Sequence, residues 1–331
     1  MRAKLKAMRV GLALGAGGVV GGAWLAGAMT ALTASTGWNP ATAEIVLGTS
    51  AGSVVAAFLA AGVAPQRLLP DGRDEGGDAA PDWLGDLVRP ETYRFPWRLE
   101  TLRPGSLELA WRALRARAPI RAISGLVPPG TVPTTVIETA VRHVVADGWA
   151  PHEGCWIVAC DYRTGERVVF GRGDAPRASL AAAVAASCAI PGFFRPVTVA
   201  GRLYVDGGLH SMSNLDLLAD QGLDLVVALS PMSTRARWRG WNPWMRAVTA
   251  VRRRRSRQVA AEAARLGQNG TEVLVLEPVE ADLMAMGANV MDGGRAKRVA
   301  EVAQGTTLAQ LELPPMRRLV DRLRMAVQAR P

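Results

Sequence analysis

The sequence predicts an α/β protein of three layers, α/β/α, with helices on both faces of a mostly parallel central sheet. Two observations predict it. Short β-branched or aliphatic runs alternate along the chain with longer helical stretches, the pattern of strands that are covered on both faces. The 331 residues are 49% hydrophobic and 21% charged, an ordinary globular balance in a chain long enough for one large domain with a cap. That balance excludes a disordered, collagen-like or disulfide-stapled chain. Residues 1–331 are therefore expected to form a single domain, with a cap or insertion at about 65–133 and a helical C-terminal extension at about 295–331.

The first stretch, Met1–Arg9, is basic, and from Val10 to Ala43 there is no charge. Such a run mimics a signal peptide or a membrane span. Its glycines favour neither. Gly11, Gly15, Gly17, Gly18, Gly21, Gly22 and Gly27 suit a loop joining a buried strand, Val10–Leu14, to a helix, Ala23–Ala34. Ile45–Leu47 is the next strand and Ser53–Ala61 the next helix. Pro65 to Pro133 breaks the alternation. Pro70-Asp71-Gly72 and Gly76-Gly77-Asp78 precede Trp83, Tyr93, Trp97 and Trp111, set among arginines, and the segment reads as a cap over the sheet or as a surface excursion.

Further on, Trp156–Ala159 is a strand within a hairpin, Cys155–Cys160 against Arg167–Phe170, turned at Arg163-Thr164-Gly165-Glu166. A helix follows at Ser179–Ala186. A second hairpin pairs Val197–Ala200 with Leu203–Val205 about Gly201-Arg202. Asn214 reads as the N-cap of a helix over Leu215–Gln221. Leu225–Leu229 and Val273–Leu276 are the last strands, and Arg295–Ala329 reads as one or two amphipathic helices broken at Pro314-Pro315.

Cys155, Cys160 and Cys188 form neither a metal-ligand spacing nor an even-numbered framework, which points to a reducing compartment. His143, His152 and His210 are too few for a His-rich zinc site. The expectation is a cytoplasmic protein, at most peripheral to a membrane.

Three segments carry chemistry. Gly48-Thr49-Ser50-Ala51-Gly52 follows a strand and precedes an apolar helix. A G-x-S-x-G of this kind sets a serine on a sharp strand-to-helix turn, with its hydroxyl exposed above the sheet; small neighbours are needed because the backbone is tight. The bland reading is a serine that caps a helix. Gly15-Ala16-Gly17-Gly18-Val19-Val20-Gly21 likewise joins a strand to a helix, and such a glycine loop directs backbone N–H groups into one concavity that suits a phosphate or a developing oxyanion. A dinucleotide loop lacks support, because residue 16 is alanine and the first acid downstream is Glu44. Asp206-Gly207-Gly208 ends the strand Leu203–Val205, where an aspartate can face the same sheet edge as Ser50 or simply make a turn. His210 is the one histidine nearby, so a Ser–His–Asp triad stays open.

Taken in order, these segments resemble the patatin-like phospholipase family, whose pattern is a glycine-rich loop, then G-x-S-x-G, then an Asp-Gly-Gly turn. Ala186-Ser187-Cys188-Ala189-Ile190-Pro191-Gly192-Phe193-Phe194-Arg195-Pro196 is similar to the family's segment before that aspartate. The likeness runs from about Val10 to Ala228. It implies a dyad: Ser50 as nucleophile, Asp206 as base, Gly17 and Gly18 as oxyanion donors, with Gly15, Gly21, Gly48, Gly52, Gly207 and Gly208 shaping the turns. It implies a lipid or other acyl-ester substrate, an acyl-Ser50 intermediate, and no metal or organic cofactor. Two positions depart from the pattern. Ala16 replaces the first loop glycine, which leaves the backbone donors usable if its φ is negative. Val20 stands where the family commonly has arginine, which touches headgroup preference more than catalysis. The rival readings are an α/β-hydrolase-like esterase with a triad and a silent lipid-binding module.

The formal charge is +10, and Arg235–Arg257 holds nine arginines with no acid. Trp238, Trp241 and Trp244 lie in the same stretch. Tryptophan beside arginine suits an anionic bilayer surface; the alternative is tryptophans packed on the sheet and arginines on a solvated helix face. No nucleic-acid partner is expected, since the stretch belongs to no recognised binding fold.

Overall fold

The computed structural model describes residues 8–70, 85–87, 89, 105–115, 124–238 and 240–328. Trp83, Tyr93, Trp97 and Arg239, together with much of the expected cap, lie outside the described residues.

Eight strands form one mixed sheet: β1 (Val10–Leu14), β2 (Ile45–Thr49), β3 (Cys155–Asp161), β4 (Arg167–Phe170), β5 (Val197–Val199), β6 (Arg202–Asp206), β7 (Leu225–Leu229) and β8 (Glu272–Leu276). Their order is β5-β6-β3-β2-β1-β7-β8, with β4 paired to β3. β3, β2, β1, β7 and β8 run parallel, and the two hairpins add the antiparallel pairs at one end. β1, β2 and β7 are buried at every residue, as two covered faces require.

Among the described residues, the helices of seven residues or more are α1 (Gly18–Thr36), α2 (Ala51–Ala60), α3 (Leu107–Arg115), α4 (Thr135–Val144), α5 (Leu180–Cys188), α6 (Pro243–Gln268), α7 (Glu280–Met286), α8 (Ala296–Leu311) and α9 (Pro314–Gln328). Alternate strand residues sort into two cores. Leu12, Leu14, Val46, Ile157 and Val227 pack on one face with α1, α2, α5 and α8. Ala13, Leu47, Val158, Val226 and Ala228 pack on the other with Val259 and Leu266 of α6 and with Leu215 and Leu218. The result is three layers.

The uncharged run Val10–Ala43 becomes the central strand, the glycine loop and a core helix. α1 is long and apolar enough to cross a membrane by length and composition, and 61% of that window is buried inside the protein. Within α1, Trp24, Leu25 and Met29 are wholly enclosed, and α8 covers them with Val299, Ala300 and Ala303.

Three local expectations are corrected. Leu215–Gln221 does not form an α-helix; it makes one 3-10 turn, Leu215–Leu218. Asn214 stands at the N-cap place but makes no cap, because its side chain is committed elsewhere. The second hairpin turns at Ala200 and Gly201, both with positive φ (47° and 76°), so Arg202 belongs to β6. Pro314-Pro315 divides the C-terminal stretch as expected, and these prolines open α9, where a missing N–H costs nothing.

One detail of register places the site. Val158 of β3 is opposite both Thr49 and Val169, and the next residue, Ala159, is opposite both Val168 and Asp206. β4 holds one edge of β3 at both residues, so β2 and β6 must share the other edge end to end. The last residues of β2 and β6 therefore meet.

Candidate active site

Ser50 follows β2 and precedes α2 with φ 53° and ψ −125°, a strained backbone for a residue with a Cβ. Several contacts hold it there. Its N–H donates to Ser187 Oγ at 2.9 Å, and Ser187 Oγ donates in turn to Val158 O at 2.6 Å. Ser53 donates to Ser50 O from both its N–H (2.7 Å) and its hydroxyl (2.6 Å). Gly52 permits the sharp turn by close approach: a Cβ there would lie 2.1 Å from Leu14 O. Ser50 is 4% exposed and lines a cavity.

Asp206 ends β6 and is 6% exposed. Its carboxylate accepts from the Gly208 N–H at 2.7 Å and lies beside the Ser50 side chain, which also favours its charged form. Burial pushes the carboxyl up to about 6, against the lowering effect of those two groups. Its own N–H donates to Ala189 O at 3.0 Å, which ties β6 to the end of α5. The Ser50 side chain thus neighbours a buried carboxylate. His210 caps the short turn after Asp206 and acts on the charge of Asp216, which is gripped by two Arg167 nitrogens at 2.7 Å.

The glycine loop faces this pair. Gly15 N–H donates to Leu229 O and Ala16 N–H to Met212 O; Val20 N–H donates to Val290 O and Gly21 N–H to Gly17 O. Among the described residues, the N–H groups of Gly17, Gly18 and Val19 have no backbone carbonyl partner, as at the start of any helix. Gly18 has φ +62°, and a Cβ there would lie 2.6 Å from Val290 O. Ala16 is not among the residues of positive φ, so it serves in place of glycine. Val20, where arginine is common in the resembling family, is fully buried.

Gly18, Val19 and Ser50 line one cavity of about 230 Å³. Val54, Phe58, Leu68, Ile137, Ile190 and Phe194 make its wall largely apolar. Cys188 also lines it, but burial and the Asp206 charge push its thiol up, so it does not compete as a nucleophile. The arrangement joins a serine held at a strained turn, a buried carboxylate beside it, helix-start N–H groups without backbone carbonyl partners, and an apolar cavity.

Some supporting roles are not visible in the sequence. Ser187 stands in the segment quoted for the family likeness, with nothing local to show that it holds the Ser50 N–H, and Ser53 looks like an ordinary small residue. Asn214 is fully buried, and its amide donates to Thr49 Oγ1 (3.1 Å), Ser211 O (2.7 Å) and Gly207 O (3.4 Å). The basic stretch divides. Arg252 is 1% exposed and donates to Pro231 O at 2.6 Å, and burial pushes its guanidinium down to about 10. Pro231 in turn packs on Gly17 and Gly21 of the loop. Arg235 pairs with Glu277. Trp241 is 100% exposed and Trp244 65%, so neither packs on the sheet.

Compared with known families, the chain matches the model described as patatin-like phospholipase over residues 12–219. The match takes in the glycine loop, Ser50, Ser187 and Asp206, and it stops before β7 and α6.

Proposed function

The chain belongs to the patatin-like phospholipase family, and on that premise we propose that it hydrolyses acyl esters of lipids through Ser50 and Asp206. The observation that carries this reading is the placement of Ser50, at a strained strand-to-helix turn on the wall of an apolar cavity, beside the buried Asp206 carboxylate, whose pKa the Ser50 side chain lowers. A carboxyl raised to about 6 is a better base than an ordinary one, yet it is still ionised at neutral pH.

In the first half-reaction Ser50 Oγ attacks the ester carbonyl carbon and its proton passes to Asp206. The carbonyl oxygen takes up negative charge against the N–H groups of Gly17 and Gly18, aided by the N-terminal ends of α1 and α2. When the intermediate collapses, the C–O bond to the alcohol breaks and the alcohol leaves with the proton from Asp206. In the second, Asp206 takes a proton from water, whose oxygen attacks the acyl-Ser50 carbonyl; the bond from Ser50 Oγ to the acyl carbon then breaks, Asp206 returns the proton to Ser50 Oγ, and the fatty acid leaves. The apolar cavity supports a hydrocarbon acyl chain.

We also read the N-terminal part of α6 and the loop before it as the face that meets anionic lipid. Trp241 and Trp244 stand free there, with the exposed Arg237, Arg246 and Arg254 close in sequence. The segment leaves the sheet after β7, at the same C-terminal strand edge that carries the glycine loop and Ser50.

An active-site serine probe tests the core of this proposal. A fluorophosphonate is expected to label the wild-type protein and not Ser50→Ala, and a panel of lipid and p-nitrophenyl esters is expected to lose turnover in the same variant. Labelling or turnover that persists in Ser50→Ala would reject the assignment; an unreactive wild type would leave the silent lipid-binding module.

A further inference from the structure

We propose that Glu262, on α6 and outside the family-matched span, is a positioning residue that holds Ser50 and Asp206 in register through Asn214. This rests on the reading of those two residues as nucleophile and base.

The argument begins at Glu262 itself. It is 7% exposed, and its two oxygens accept four hydrogen bonds. Oε1 accepts from Ser211 Oγ at 2.8 Å and from Gln258 Nε2 at 3.0 Å. Oε2 accepts from Ser213 Oγ at 2.5 Å and from Leu215 N–H at 3.1 Å. All four donors are neutral groups, and three of them belong to one five-residue stretch, 211–215. A buried carboxylate gripping a single turn in this way fixes that turn's backbone.

The turn has Asn214 at its centre, at φ +48°. That conformation is held from both sides: Ser211 Oγ accepts from the Asn214 N–H at 3.0 Å, and Glu262 fixes the residues around it. The Asn214 amide then reaches the two chain neighbours that matter. It donates to Thr49 Oγ1, one residue before Ser50, and to Gly207 O, one residue after Asp206. Its Oδ1 accepts from Arg167 Nη1 at 3.3 Å, which leaves the amide one orientation. β2 and β6 meet end to end at this point without a hydrogen-bonded ladder between them, because each pairs with β3. Asn214 is the side chain that bridges the gap, and Glu262 is what aims it.

A purely structural role would cost stability and leave the chemistry of the folded enzyme alone. A positioning role predicts more. With the bridge loosened, the Ser50 side chain shifts away from Asp206. Its proximity lowers the Asp206 pKa, so the pKa must rise, and the proton-transfer geometry degrades.

The test compares wild type, Ser50→Ala, Glu262→Gln and Ser213→Ala on a soluble p-nitrophenyl ester across pH 5–9. For Glu262→Gln we expect kcat to fall about tenfold with KM within about twofold, the behaviour of misplaced reacting groups. The acid limb of kcat/KM, near pH 6 in the wild type, is expected to move up by about half a unit. Ser213→Ala keeps the carboxylate and removes one hydroxyl, so it should move kcat and the acid limb the same way by a smaller amount; it also decides the matter if Glu262→Gln does not fold. Folded variants with wild-type kcat and an unmoved acid limb would overturn the positioning role and leave the dyad standing. Turnover that persists in Ser50→Ala would overturn the dyad, and this inference with it.

Discussion

Two segments stand out in the sequence, Gly48–Gly52 and Arg235–Arg257, and the fold treats them in opposite ways. In the first, every residue serves one geometry. Ser50 sits at a strained φ of 53°, Gly52 lets α2 close on β1, and Ser187 and Ser53 pin the turn. In the second, residues of one type part company. Arg252 goes inside to hold Pro231 behind the glycine loop, Arg235 pairs with Glu277, and Trp241 stands wholly in solvent. A motif that encodes a backbone shape keeps its meaning in the fold. A cluster that encodes only composition is divided by helical phase and by what lies beneath it.

The largest effect that sharpens this contrast belongs to the first segment's partner. Asp206→Asn keeps the shape of the carboxyl and cannot take a proton, so kcat is expected to fall by about 10²-fold or more. Stability should move the other way. Burial raises the folded-state pKa to about 6 from 3.8. Protonation therefore favours the folded state fully below about pH 4, and that favour is lost as pH rises through about 6. The variant escapes the cost of a buried charge, and it should exceed the wild type by roughly 1–3 kcal/mol at pH 8 and match it near pH 4. Denaturant melts at both pH values check this. A loss of stability at pH 8 would contradict the picture of Asp206 as a strained functional group.

The arginines give an effect of middling size. Arg252→Ala leaves a cavity and an unpartnered Pro231 O, and a cost of about 2–4 kcal/mol is expected. Arg254→Ala, on the exposed face, should stay within about 0.5 kcal/mol. Equal losses in thermal melts would mean that the basic stretch acts as one unit after all.

The smallest effect concerns lipid. Trp241→Ala together with Trp244→Ala should weaken binding to anionic vesicles by about tenfold, and high salt should weaken it further through the remaining arginines. Hydrolysis of a soluble short-chain ester should be nearly unchanged. Cosedimentation with anionic and zwitterionic vesicles reads this directly; equal binding to both, or no loss in the double variant, would make the tryptophans ordinary surface residues. The arginine partner of choice for such a test is Arg254 rather than Arg252, which lies in the core.

Much of the architecture was legible in the chain. Apolar runs with glycine punctuation marked β1, β2, β7 and β8 to within a residue or two, and the glycine loop and the Ser50 turn followed from strand-to-helix context. Ser50 could be nominated from its strand–turn–helix context, a local property, whereas Asp206, which by itself also reads as an ordinary turn, was singled out by the order of the three segments and the resemblance they carry. Leu215–Gln221 was not legible in the same way. Its apolar spacing imitates a helix, whereas Glu262 and Ser211 bind the turn's backbone and side chains in another shape.

Local backbone demands and hydrophobic period were thus determined by the sequence itself, since both act between near neighbours in the chain. What only the tertiary structure decided is which distant groups share a place. β3 runs past the end of β2 to pair with β6, and that register alone brings Asp206 against Ser50. Burial lifts the Asp206 pKa, and that burial exists only in the folded chain. Asn214, Arg252 and Glu262 look like a cap, a surface cation and a surface anion until packing removes them from water, and once buried each must find its hydrogen bonds in the site or beside it.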